Sequence, residues 1–211
     1  MLYALDEDSG RKLWELPTGG AIRSRPNPDG YVASGDGSVY AFDAADGRRR
    51  WVFPTGGAVH TSPASAAGRV YFGSRDGNVY CLDAETGAEL WRYDTGNRLE
   101  YSSPLLAGES LYIGDCGGRL HAIRAGDGKR LWVHRGGGSS IYATPVAAGG
   151  LIVYGDNAGR VYFLDAGNGL LEGEFRAGDA VQAVAAGPPG SVLVGSRDGH
   201  VYSLSAIGKG R

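Results

Sequence analysis

The sequence predicts an all-β fold, a β-propeller of four-stranded antiparallel blades with about five repeats. Three observations carry this. First, one phrase recurs: LYALDEDSGRKLW (2–14), VYAFDAADGRRRW (39–51), VYCLDAETGAELW (79–91) and LHAIRAGDGKRLW (120–132). Two weaker copies follow, VYFLDAGNGLLEG from Val161, with Gly173 in place of Trp, and VYSLSAIGKGR from Val201. Second, the period is fixed. The second residues of the copies, Tyr3, Tyr40, Tyr80, His121, Tyr162 and Tyr202, lie 37, 40, 41, 41 and 40 residues apart. Such a period means one supersecondary unit used repeatedly. Third, each period breaks into short runs rich in Val, Tyr, Phe and Trp between turn residues, the pattern of strands and hairpins. Few windows carry a helical period, so almost no helix is expected.

The second period shows the elements best. Its first strand is expected at Thr61–Ala64, its second at Val70–Ser74, its third at Val79–Asp83 and its fourth at Leu90–Tyr93. Arg75-Asp76-Gly77-Asn78 joins the second and third strands. Asp-Gly between apolar runs is a hairpin signal because Gly accepts positive φ. Gly35-Asp36-Gly37, Asp156 to Gly159 and Arg197-Asp198-Gly199 are its counterparts. Val70-Tyr71-Phe72 and Leu111-Tyr112-Ile113 are apolar on both faces. A sheet with one wet face would alternate, so these sheets stack face to face as blades do. Trp14, Trp51, Trp91 and Trp132 share one register and are expected to pack between blades. A fully packed ring would cost about 3–5 kcal/mol on truncation to Ala. Asp6, Asp43, Asp83 and Asp165 open the next turn, and Gly10, Gly47, Gly87 and Gly169 close it. Asp6-Glu7-Asp8 resembles the start of a calcium loop, but the sixth-position Gly and flanking helices of that loop are missing. The Asp side chains are expected to accept from turn N–H groups instead.

Composition narrows the function classes. Gly is 37 of 211 residues, and because the glycines are periodic they read as turns rather than disorder. With 21 basic against 23 acidic residues the net charge is −2, and no basic run marks a nucleic-acid surface. No apolar stretch is long enough for a membrane-spanning helix. The segment MLYALDEDSG lacks the regions of a signal peptide. The two cysteines, Cys81 at a small-residue position of the repeat and Cys116 in a Gly-rich turn, form neither a disulfide framework nor a metal spacing.

These phrases resemble the tryptophan-docking repeat of the pyrroloquinoline-quinone (PQQ)-like β-propeller family, roughly Ala-x-Asp-x-x-Thr-Gly-x-x-x-Trp. Ala4 to Trp14, Ala41 to Trp51 and Cys81 to Trp91 follow it. The fourth copy departs with Arg124 for Asp, and the fifth lacks Trp. The resemblance covers essentially the whole chain, residues 1–211, as one repeat domain. It implies a bacterial protein in a periplasmic or other extracytoplasmic compartment. The family includes quinoprotein dehydrogenases, kinase-fused sensor domains and the non-catalytic propeller lipoprotein of outer-membrane protein assembly. Its enzymes carry a vicinal Cys-Cys ring and a calcium site of Glu, Asn and Asp. No adjacent Cys pair occurs here, and no such ligand set matches. The resemblance therefore implies a scaffold without enzyme activity or cofactor that binds a protein or peptide partner. The alternative is a fragment of a PQQ-dependent dehydrogenase or a ligand-sensing domain.

Counted from the Ser/Thr-x-Pro segments, blade one runs from about Ile22 to Phe53. Blades two to four end near Tyr93, His134 and Phe175, and blade five spans about Val181 to Leu204. Residues 1–17 add strands Leu2–Leu5 and Leu13–Leu16. The count reaches 21 strands where five blades need 20. A closed five-blade ring, with Leu13–Leu16 completing blade five, and an open arc of a larger ring both fit. An open arc would expose apolar faces and strand edges and favour self-association. Loops Thr18-Gly19-Gly20, Thr55-Gly56-Gly57 and Thr95-Gly96-Asn97 are expected at the same end as the Asp-Gly hairpins. Counting back from the Pro of each blade places Arg23, His60, Tyr101, Tyr142 and Gln182 at that mouth, with Glu100 the alternative to Tyr101. These five positions repeat in backbone but vary in residue type. They form a polar, aromatic mouth of the kind enriched at interaction surfaces, and they are the candidate binding residues.

Overall fold

The computed structural model describes residues 1–205. It contains twenty strands and, among those residues, no helix. An N-terminal pair, β1 (Leu2–Leu5) and β2 (Lys12–Leu16), forms its own two-stranded sheet. Blade one is β3 (Tyr31–Ala33), β4 (Ser38–Phe42) and β5 (Arg49–Pro54). Blade two is β6 (Ala64–Ala66), β7 (Arg69–Gly73), β8 (Asn78–Asp83) and β9 (Glu89–Asp94). Blade three is β10 (Leu105–Ala107), β11 (Ser110–Gly114), β12 (Arg119–Arg124) and β13 (Arg130–Arg135). Blade four is β14 (Val146–Ala148), β15 (Leu151–Gly155), β16 (Arg160–Asp165) and β17 (Leu171–Arg176). Blade five is β18 (Val181–Ala186), β19 (Ser191–Ser196) and β20 (Val201–Ser205). All pairings between neighbouring strands are antiparallel.

The core lies between blades rather than in one centre, because the middle strands are apolar on both faces. Val32, Tyr40 and Phe42 of blade one bury against Leu16 and Trp14 of the N-terminal pair. Val39 packs with Phe72, Tyr80 and Leu82 of blade two. Val79 packs with Leu111 and Ile113 of blade three, Leu120 with Ile152 and Leu164 of blade four, and Val153 with Val181 and Val194 of blade five. Among the described residues, no strand pairing joins the N-terminal pair to blade five: β2 bonds to β1 alone, and β20 to β19 alone. The outer faces there are open, with Tyr3, Leu5 and Val201 exposed.

Each Trp makes the same contact with the following repeat. The indole N–H groups of Trp14, Trp51, Trp91 and Trp132 donate to the carbonyls of Ala44, Ala84, Ala125 and Ala166, each at 3.1 Å. Each ring covers the Gly that closes the next turn. A Cβ on Gly47, Gly87, Gly128 or Gly169 would fall within 2.8 Å of the indole. These glycines also hold φ near +70°, so Gly is needed twice over. The rings are partly, not fully, buried, which lowers the expected truncation cost toward the bottom of the fully packed range. The turn aspartates behave as expected: Asp83 Oδ1, for one, accepts from the Glu85 and Thr86 N–H groups at 3.2 and 2.8 Å.

The innermost strands differ from expectation. Thr61-Ser62-Pro63 is not a strand, and β6 begins at Ala64. The Thr61 hydroxyl instead takes both backbone bonds of Gly73, donating to its carbonyl and accepting from its N–H, each at 2.9 Å. Ser24 does the same with Ala33 at 3.0 and 3.2 Å. The middle residue of each Ser/Thr-x-Pro segment ties one blade to the next. Arg25 N–H donates to Ser62 Oγ, Ser62 N–H to Ser103 Oγ and Ser103 N–H to Thr144 Oγ1, at 2.8 to 3.1 Å. Blade one lacks its inner strand altogether, so it does not begin at Ile22, and the strand total is 20 rather than 21. Pro26 has counterparts in Pro63, Pro104 and Pro145 ahead of intact inner strands, but Pro28 falls inside the strand position and removes an N–H from it, and only an isolated bridge from Asn27 to Tyr31 remains.

Candidate functional site

One end of the blades is built by two kinds of loop locked together. The Asp-Gly hairpins put Gly37, Gly77, Gly118, Gly159 and Gly199 at positive φ. In blades one, two and five the hairpin Asp also holds the loop that enters its blade. Asp36, Asp76 and Asp198 accept from the N–H groups of Gly19, Gly56 and Gly178 at 2.6 to 2.9 Å, and from the hydroxyls of Tyr40, Tyr80 and Tyr202 at 2.7 Å. The loops and hairpins therefore share one end. Burial would raise the Asp76 carboxyl, but the Tyr80 hydroxyl and the Asn78 and Gly56 N–H groups outweigh it and hold it below the usual carboxylate range.

Blades three and four move the acid to the first turn position. Asp115 is fully buried and accepts from Arg119 Nε at 2.7 Å and pairs with His121 Nε2 at 3.0 Å. His121 Nδ1 lies 3.2 Å from the Tyr93 hydroxyl of blade two. Burial opposes the charge on Asp115, and His121, the Arg119 N–H and the Arg119 guanidinium together lower its pKa. Asp156 takes the corresponding place in blade four.

Three of the five candidate residues come together at the mouth. His60 stacks on Tyr101 with centroids 5.6 Å apart and planes 11° apart. Tyr101 meets Tyr142 edge to face at 5.3 Å. The row thus crosses the entries of blades two, three and four. Tyr101 keeps 39% of its surface exposed. Beneath the row, Glu100 is buried at 8% exposure. Its Oε1 lies 3.1 Å from His60 Nδ1, and its Oε2 accepts from Arg75 Nε at 2.9 Å. Arg23 and Gln182 are exposed, and neither makes a hydrogen bond, ion pair or ring contact with this cluster.

The extra residue in the 95–101 loop lets both neighbours act: Glu100 turns in to anchor, and Tyr101 stays at the surface. The part of Arg75 was not visible in the sequence, where it reads only as a hairpin residue. The sole signal was a cation beside Asp76-Gly77, one blade away from the unmatched acid at Glu100. Cys116 lies close by, its thiol raised by burial and by the Glu100 charge. Among the described residues no cluster of three or more His, Cys, Asp or Glu could hold a metal ion.

The repeat, the sheet order and the tryptophan docks together define a β-propeller of PQQ-like repeats. The family model described as outer membrane protein assembly factor BamB matches residues 1–208, and the chain belongs to that family. No curated protein matches it by sequence. Among solved structures, BamB from Moraxella catarrhalis is similar with a TM-score of 0.80 at 20% identity, over 93% of this chain and 65% of that one. The computationally designed Ika8 protein gives 0.83 at 20% identity, over 93% of this chain and 62% of that one. The designed Ika4 protein gives 0.65 at 22% identity, over 72% of this chain and 92% of that one. The chain thus spans just under two thirds of the length of the first two, and at these identities the likeness is one of fold. No helix among the described residues is long and apolar enough to cross a membrane.

Proposed function

We propose that this chain is a non-catalytic propeller scaffold, and that a segment of a protein partner docks at the mouth formed by His60, Tyr101 and Tyr142 over Glu100. The observation that carries this reading is the aromatic row. Three rings from three blades form one row, with Tyr101 exposed, Tyr142 half-buried and His60 largely buried, and a buried, doubly anchored carboxylate holds its first ring in place. Aromatic side chains on a rigid base supply contact area at small entropic cost, the pattern of interaction hot spots. Arg23 and Gln182, exposed at the entries of blades one and five, are proposed as further contacts for a longer partner segment. The name of the matching family supports a partner from outer-membrane protein assembly, and that family resemblance also favours an extracytoplasmic location.

A photo-crosslinking residue placed at 101 in the native host, with the product identified by mass spectrometry, tests the reading. The expected result is a defined protein adduct from position 101 and none from Leu131 on the outer strand. Equal adducts from both positions, or none from 101, contradict it. The non-catalytic part is tested separately. With added PQQ and calcium, the chain should reduce no dye with alcohols or glucose, and turnover that is lost in His60→Ala would overturn that part.

A further inference from the structure

A second feature lies away from the mouth, in the groove between the outer strands of blades two and three. It encloses about 580 Å³, within the roughly 300–1,000 Å³ of small-molecule sites. It runs into a second depression of about 350 Å³, with Gly96, Arg119 and Arg135 lining both. Tyr93 of β9 walls one side. Arg119, Arg130 and Arg135 of β12 and β13 wall the other.

The charge here differs from that of the neighbouring blade two. Arg130 pairs across the sheet with Ile123, the register Glu89 holds opposite Leu82 in blade two. Glu89 there neutralises Arg92 through two bonds of 2.7 Å. Blade three has Arg130 for Glu89 and Val133 for Arg92. Arg135 opposite Arg119 takes the place of Asp94 opposite Asn78. In blade four, Glu174 stands opposite Tyr162, where blade three has Val133 opposite His121. Blade four repeats the Arg135–Arg119 pair as Arg176 opposite Arg160 but has Leu171 where Arg130 stands, and blade one has Arg49 there but Pro54 where Arg135 stands, so among blades one to four only blade three combines both arginines.

The nearby carboxylates are already engaged. Asp115 is bonded to Arg119 and His121, and Asp94 Oδ1 accepts from the Gly96 N–H at 2.6 Å. Arg130 and Arg135 make no hydrogen bond or ion pair among the described residues. Two unpaired guanidiniums beside a third repel one another and offer planar donor forks suited to carboxylate or phosphate oxygens.

We infer that this groove binds a small multivalent oxyanion, a phosphate- or carboxylate-bearing molecule held by Arg130 and Arg135 with Arg119 fixed behind them. Nothing in this inference depends on the mouth. Isothermal titration calorimetry at constant ionic strength, with pyrophosphate in one arm and citrate in the other, tests it. The parent should show saturable one-site binding of at least one of them. Arg130→Gln/Arg135→Gln should weaken binding by about tenfold or more, and Arg25→Gln, an exposed arginine elsewhere, should match the parent. Unchanged tryptophan emission in the double variant verifies its fold. Tighter pyrophosphate assigns a phosphate-bearing ligand, and tighter citrate a polycarboxylate; either supports the site. No saturable heat in either arm, or equal affinity in the double variant, overturns it.

Discussion

The outer and inner parts of the blades solve different problems with the same backbone repeat. At the outer strands, Trp14, Trp51, Trp91 and Trp132 make one contact four times, an indole N–H to an Ala carbonyl over a Gly turn. At the mouth, the entering residues are His60 in blade two and Tyr101 and Tyr142 in blades three and four, and only His60 also pairs with a buried carboxylate. A position that must hold neighbouring blades keeps its residue, because the neighbour it meets is always the same. A position free of that duty varies, and it can serve a partner. Stability should therefore concentrate at the outer tryptophan docks, and recognition of a protein partner at the mouth.

The largest expected effect is at the outer dock. Trp91→Ala removes a partly buried ring and its hydrogen bond to Ala125, and should cost about 3 kcal/mol, read as a lower denaturant midpoint. Gly128→Val approaches the same contact from the other side. Its Cβ would meet the Trp91 ring at 2.8 Å at a φ of +73°, for an expected loss of about 2 kcal/mol. A combined variant should lose less than the sum, since both break one contact.

The pH dependence follows from the hairpin carboxylates. Asp36, Asp76 and Asp115 are all held below their ordinary pKa. Unfolded, each would titrate near 3.9. Their stabilisation is complete above that value and is lost as pH falls through it toward the lower folded values. Acid should therefore melt the loop end of the blades below about pH 4. Asp76→Asn should flatten the acid limb of the stability curve and lower the plateau at neutral pH. An unchanged limb would contradict the role given to the Tyr80 and Gly56 bonds. A smaller effect concerns Cys81, whose thiol is pushed up to about 12, chiefly by burial. It should resist alkylation in the native protein and react only on unfolding.

Much of the frame could be read from residues. The Trp-to-Trp period fixed the register of β5, β9 and β13, and Asp-Gly fixed the hairpins, because both depend on local backbone needs that repeat. The inner strands begin later than the sequence suggests because the hydrogen bonds of Thr61-Ser62-Pro63 go through hydroxyls and across blades. A period of apolar residues does not reveal that exchange. At the mouth, counting from Pro located His60, Tyr101 and Tyr142 but could not choose between Glu100 and Tyr101. The inserted residue gives both a role, one buried and one exposed. The Glu100–Arg75 pair joins residues from different blades, so no local pattern announces it. Arg130 could be read from the alignment of the copies, where Lys12 and Arg49 are also basic, and gained meaning only once the groove placed Arg119 and Arg135 beside it.

The division between outer and inner positions is tested most directly by measuring unfolding free energies of Trp91→Ala and Tyr101→Ala side by side in denaturant. Tyr101 is exposed and contributes two ring contacts, so its loss should cost about 1 kcal/mol, against about 3 for Trp91. A Tyr101→Ala variant that loses as much stability as Trp91→Ala would mean that the mouth holds the blades together, and the account would be wrong.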